Sequence, residues 1–301
     1  PMPPEHVLYG PLLQSGAEPD ARPVDVFLPA TFTEGRPSIP YMQPDGEMLR
    51  VRPFTLAPSR LNIWAWGAVL PGGLTAGGEA VLSEAIRRER DRLRGAYDEL
   101  TIHDLMAAAQ LCLEDTEGVG ITTHIEGVTA KPIPIGKTRT QREVNPLIER
   151  LNAIAQSNIF VPAKWRGKAT PTTLDLQAML RDQKRISLFH LAPDPDFPKL
   201  HAGLANYVLR SIMSLKEPNN PNRVESPVCI CIPEVREFVP KRIEPDEEYK
   251  DTLRATMKKL AAMGAGYQIK LIVDTQTPWS LDNDFLANFA CLAVFDLGVK
   301  A

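Results

Sequence analysis

Two short apolar runs in the last third of the chain, separated by a stretch with helical spacing, constrain the fold more than any other feature. The first, Pro227-Val-Cys-Ile-Cys-Ile-Pro-Glu234, ends in a carboxylate. The second, Ile269-Lys-Leu-Ile-Val-Asp-Thr-Gln276-Thr-Pro278, ends in hydroxyl and amide side chains. Between them Tyr249, Leu253, Met257, Leu260 and Met263 recur at intervals of three and four, the period of one helix face. Strand, helix, strand in this order implies a right-handed crossover between parallel neighbours. Glu234 and Gln276 then stand side by side at the carboxyl edge, where open α/β sheets bind ligands. The two side chains are expected within a hydrogen bond, or one bridging water, of each other. The fold class expected is α/β: a mainly parallel sheet with helices on both faces, with strands at 186–191, 227–232, 269–274 and 291–296.

The rest of the chain divides into three segments. Residues 1–60 read as an irregular N-terminal segment with a strand at 24–28 and another at 50–56. Residues 61–168 read as a mainly helical insertion with basic loops. There Ile86, Leu93, Tyr97 and Leu100 form an apolar stripe, and Thr101-Ile-His-Asp104 has the spacing of a capping box. A further amphipathic helix is expected at 147–154. Residues 169–301 read as an α/β core, with helices at 172–181 and 200–215 around the strand at 186–191.

At 44% hydrophobic residues, 301 positions supply a sizeable core. No apolar stretch reaches the roughly 18 residues that would cross a bilayer, and no charged-then-apolar leader opens the chain. A cytoplasmic setting is expected, and Pro1-Met2 reads as a cleavage scar before a start position. A formal charge of −3 is not the footprint of a protein that coats DNA, although it leaves room for a local basic patch. Two such patches stand out: Lys131, Lys137, Arg139 and Arg142, and the run Lys164-Trp165-Arg166-Gly167-Lys168. Cations beside an aromatic can hold phosphates and stack on a base. Equally, Trp165 can pack inward while its neighbours snorkel. Cys112, Cys229, Cys231 and Cys291 lack metal-ligand spacing. Cys229 and Cys231 face one side of a strand, but two sulfurs do not complete a zinc site. All four are expected as buried thiols, and the scattered histidines argue for no metal.

The strand ending in Glu234 and the strand ending in Thr275-Gln276-Thr277-Pro278 resemble the Walker B and sensor strands of the HerA/FtsK branch of P-loop ATPases, the ring-shaped DNA pumps. Ile186-Ser-Leu-Phe-His-Leu191 is similar to the strand that precedes Walker B there. The resemblance covers about residues 140–296. It implies a RecA-like sheet, ATP and magnesium as cofactors, DNA as a possible partner and a homo-oligomer or ring. It also implies catalytic roles for Glu234, on the attacking water, and for Gln276, on the terminal phosphate.

The departures from that family are specific. A phosphate loop needs G-x-x-x-x-G-K-[ST]. Gly136-Lys137-Thr138 has Lys131 where the first glycine belongs and two prolines where backbone N–H donors are needed. No helical pattern is expected to follow it, because Arg139-Thr-Gln-Arg142 leads to Pro146. Pro233 replaces the family's acidic residue before Glu234 and offers magnesium no ligand. Ala265 stands where a neighbour-reaching arginine is expected. In the family the phosphate-loop strand lies ahead of this region, so both ends read as cut. The function expected is a module of a HerA/FtsK-like ring ATPase that moves or processes DNA and, as given, binds ATP weakly or not at all and does not hydrolyse it. The other reading is a non-catalytic scaffold or adaptor with a degenerate motor fold.

Overall fold

The computed structural model describes residues 23–30, 49–114, 120–121, 124–125, 128–129, 133–134, 136–157, 159–160, 171–191, 199–244, 247, 250–289 and 291. The chain runs β1 (Val24–Pro29), β2 (Leu49–Thr55), α1 (Ile63–Val69), α2 (Ala76–Leu93) and α3 (Ile102–Leu111). Four two-residue strands follow, β3 (Gly120–Ile121), β4 (His124–Ile125), β5 (Val128–Thr129) and β6 (Ile133–Pro134). Then come α4 (Lys137–Ala155), β7 (Thr172–Thr173), α5 (Leu176–Arg181), β8 (Ile186–Phe189), α6 (Leu200–Lys216) and β9 (Val228–Ile232). The last elements are α7 (Asp251–Met263), β10 (Ile269–Val273) and α8 (Asn283–Leu286).

The fold is α/β with mainly parallel strands. A four-stranded sheet in the order β7-β2-β1-β8 has three parallel pairings, and β9 and β10 form a second parallel pair. The short β3–β6 and β4–β5 pairs are antiparallel. The expectation that 186–191 and 227–232 lie in one sheet with 269–274 needs correction. Among the described residues β8 pairs with β1 instead, in the register Val24↔Ile186 through Phe27↔Phe189. Side chains fix that register. The Arg185 guanidinium meets the Asp25 carboxylate at 2.7 Å, and Phe27 stacks on Phe189 at 5.0 Å. Apolar runs show that strands exist but not which neighbours they choose. Strands β1 and β2 share this sheet with β7 and β8. The strand expected at 291–296 lies outside the described residues beyond Cys291.

Helix α6 organises the core. Leu204, Ala205, Val208, Leu209, Ile212 and Met213 are buried along it, as its three-four spacing requires. At Gly203 an added Cβ would stand 2.9 Å from the Val69 carbonyl oxygen and 3.0 Å from that of Ala68, so α1 and α6 cross at a distance only glycine allows. On its other side the Thr256 hydroxyl of α7 donates to Asn206 Oδ1 at 2.6 Å. At its end Lys216, 1% exposed, donates from Nζ to the carbonyls of Val224 and Ser226 at 2.8 and 2.7 Å. An unpaired buried ammonium would be prohibitive. These two bonds satisfy it and fasten the turn that leads into β9.

The helical segment matches expectation at one end and departs from it at the other. The capping box forms: Asp104 N–H donates to Thr101 Oγ1 at 3.1 Å, and Thr101 N–H donates to Asp104 Oδ2 at 2.9 Å. The helix expected at 147–154 begins ten residues earlier, directly at Lys137, with Gly136 as its N-cap at φ +78° and Pro146 inside it. The amphipathic face explains the extension. Val144, Leu147, Leu151 and Ile154 are all buried, and α4 packs on α2 and α3. Tertiary burial of that stripe outweighs the one hydrogen bond Pro146 removes.

Asp104 supplies a pH test. Partial burial pushes its carboxyl up, but hydrogen bonds from Thr101 and the Arg92 guanidinium outweigh this and hold it below the usual carboxylate value. A depressed folded-state pKa stabilises above the unfolded value of 3.8 and loses that stability as pH falls through the lowered folded value. Asp104→Ala should therefore cost about 1 kcal/mol in urea unfolding at pH 7. Near pH 2 the difference from wild type should shrink towards zero.

Candidate functional site at the carboxyl ends of two parallel strands

The pairing of β9 with β10 runs Val228↔Ile269 to Ile232↔Val273, so both strands finish level. Their chain continuations are tied together. Asp274 N–H donates to the Ile232 carbonyl at 3.3 Å, and Val235 N–H donates to the Asp274 carbonyl at 2.9 Å. Asp274 Oδ1 also accepts from the Glu234 backbone N–H at 2.6 Å. Glu234 takes the left-handed conformation, φ +48° and ψ +51°, and caps the short 3₁₀ turn Val235–Glu237. A left-handed non-glycine residue costs about 1–2 kcal/mol, and the Asp274 carboxylate offsets part of that by holding the peptide.

Glu234 and Gln276 are both exposed at this edge. Among the described residues no direct hydrogen bond joins the Glu234 carboxylate to the Gln276 amide; Asp274 is the residue that bridges the two strand ends. Sequence reasoning passed over Asp274. Its signal was available as the first polar residue after the apolar run in β10. The turn beyond is held by two hydrogen bonds: Thr277 N–H donates to Thr275 Oγ1 at 3.2 Å, and Ser280 Oγ donates to the Thr277 carbonyl at 2.7 Å. It leaves Trp279 74% exposed. Lys241 N–H donates to the Ser280 carbonyl at 2.7 Å and packs the 240 loop against it.

The phosphate-loop-like run stands apart from this edge. Gly136-Lys137-Thr138 does open a helix, contrary to expectation, but that helix packs on α2 and α3. The β6 strand before it pairs antiparallel with β3 and stands apart from the parallel sheet. Pro233 and Ala265 are exposed, with neither a ligand atom nor a cation.

Of the basic candidates, Lys137, Arg139 and Arg142 fall in the first two turns of α4, where Lys137 and Arg142 are exposed. Lys131, Lys164, Trp165, Arg166 and Lys168 lie outside the described residues. Among the described residues no cluster of three or more His, Cys, Asp or Glu side chains could hold a metal, and no helix is long and apolar enough to cross a membrane. The thiols require a correction. Cys112 is buried as expected, but Cys229, Cys231 and Cys291 are exposed. The apolar runs suggested strands covered on both faces, whereas β9 and β10 alternate inward and outward residues and present one open face.

The class defined by this arrangement is an α/β protein with a mainly parallel sheet and a polar edge at its strand ends. The chain is similar to the bacterial conjugative coupling protein TrwBdeltaN70. Against its trigonal form in complex with sulphate the TM-score is 0.44 at 15% identity, over 92% of this chain and 63% of that one. Against its unbound monoclinic form the values are 0.43 and 15%, over 92% and 61%. The chain therefore spans about three fifths of the length of those proteins. No family model matches it, and no curated protein does.

The Asp274 clamp is directly testable. Asp274→Ala should destabilise by about 1–2 kcal/mol, the worth of a hydrogen bond to a charged acceptor discounted for exposure. Glu234→Gly should be neutral or up to about 1 kcal/mol stabilising, because glycine adopts the left-handed region freely. Denaturant midpoints at constant slope give both values.

Proposed function

We propose that this chain is a module of a HerA/FtsK-like, DNA-handling ring ATPase, and that by itself it does not hydrolyse ATP. The observation that supports the reading is the level finish of β9 and β10, which brings Glu234, Asp274 and Gln276 to one edge with α7 as the intervening crossover. That is the placement the two motif-bearing strands would require in a nucleotide-handling sheet. Glu234 and Gln276 are the proposed catalytic pair of a complete site. The groups that would hold nucleotide and magnesium do not fit this chain: Pro233 supplies no ligand, Ala265 no charge, and Gly136-Lys137-Thr138 sits on the helical bundle. No hydrolytic step is therefore assigned to it.

Those same departures favour a second reading, a scaffold or adaptor that keeps the motor architecture without its chemistry. In either case the partners proposed are further copies of the chain or a ring neighbour, and DNA through Lys137, Arg139, Arg142 and the 164–168 run. The proposed setting is the cytoplasm, and the proposed segments are 1–60, 61–168 and 169–301.

Calorimetric titration of the chain with Mg-ATP should show no micromolar binding. A micromolar Kd abolished by Lys137→Ala would overturn the inactive reading and assign a phosphate site to α4. Single-stranded DNA affinity, read by fluorescence anisotropy, should fall with salt. Lys137→Glu with Arg142→Glu should reduce both the affinity and the salt slope. A slope unchanged by that double variant would remove α4 from the interface.

A further inference from the structure

The open face of the β9–β10 ribbon carries two thiols side by side. Cys229 and Cys231 alternate with the inward Val228, Ile230 and Ile232, and both are exposed. Residues two apart on a strand point the same way, with Cα atoms about 6.6 Å apart. Their register partners, Lys270 and Ile272, stand beside them and are exposed as well, Ile272 at 58%. Both thiols are exposed on this face and free to lean towards each other.

We propose that Cys229 and Cys231 form a chelating dithiol that captures one low-coordinate soft cation of the copper(I) class. Thiolate ligands select such ions. Two sulfurs sharing one ion stand about 4.6 Å apart, twice a metal–sulfur bond of about 2.3 Å. Side chains rooted about 6.6 Å apart reach that separation with a modest lean. A disulfide would require sulfurs about 2.05 Å apart from a Cα spacing at the upper end of the accessible range. A tetrahedral ion would want four ligands, and no third His, Cys, Asp or Glu joins these two among the described residues.

Capture balances without electron transfer. Two S–H bonds break, two metal–sulfur bonds form, two protons go to solvent, and the bis-thiolate complex carries one net negative charge. Lys270, in register beside Cys229, is the cation nearest that charge along the ribbon. Metal–thiolate bonds require both thiols to lose their protons, so capture strengthens as pH rises.

The test is an anaerobic titration of the whole chain with copper(I) against bathocuproine disulfonate, between pH 6 and pH 8. One ion per chain is expected, with affinity rising steeply with pH. Cys229→Ser and Cys231→Ser should each abolish retention of the ion at a chelator concentration the unmodified chain withstands, while Cys291→Ser leaves it unchanged. In the unmodified chain copper(I) should protect Cys229 and Cys231, but not Cys291, from alkylation read by mass spectrometry. This second readout needs no variant to fold. Undiminished affinity in either serine variant, half an ion per chain, or equal alkylation of all exposed thiols would overturn the proposal.

Discussion

Parallel strands cannot be joined by a tight turn, so the pairing of β9 with β10 depends on α7, which carries the chain back between them. Helix α6 packs beside that crossover. It approaches α1 at Gly203, accepts the α7 hydroxyl at Asn206, and ends in the buried Lys216 ammonium that fastens the approach to β9. These contacts set α6 against α1, against α7 and against the turn that leads into β9, while the level finish of β9 and β10 rests on their own pairing.

At the edge itself the chemistry is organised by backbone, not by a preformed side-chain pair. Asp274 spends its carboxylate on the Glu234 peptide, and the Glu234 side chain is left exposed. A carboxylate on a left-handed residue stands there next to a second carboxylate and a hydrogen-bonded threonine-serine turn. Pro233 falls at this same edge, whereas Ala265 lies in the turn before β10, at the opposite end of that strand; the proposed reading keeps the architecture of a motor but assigns it no hydrolysis. The open face of β9 and β10 is a separate chemical surface, defined by thiols and Ile272, and owes nothing to that edge.

Sequence pattern alone determined a good deal. Hydrophobic period gave the alternation of β8, α6, β9, α7 and β10, because burial selects residues at intervals of two or of three and four before any partner is known. The Thr101–Asp104 capping box was legible because its donors and acceptors lie within one turn. The relative placement of Glu234 and Gln276 at one edge followed from two strands of equal length joined by a helix. Tertiary structure decided the rest. That β8 pairs with β1 rests on Asp25 with Arg185 and Phe27 with Phe189, contacts about 160 residues apart in sequence that no local pattern encodes. That a helix starts at Lys137 despite Pro146 rests on burial of Val144, Leu147 and Leu151 against other helices. That Cys229 and Cys231 meet solvent rests on one face of their ribbon being left open, since an apolar run reads the same whether one face of its strand is covered or both.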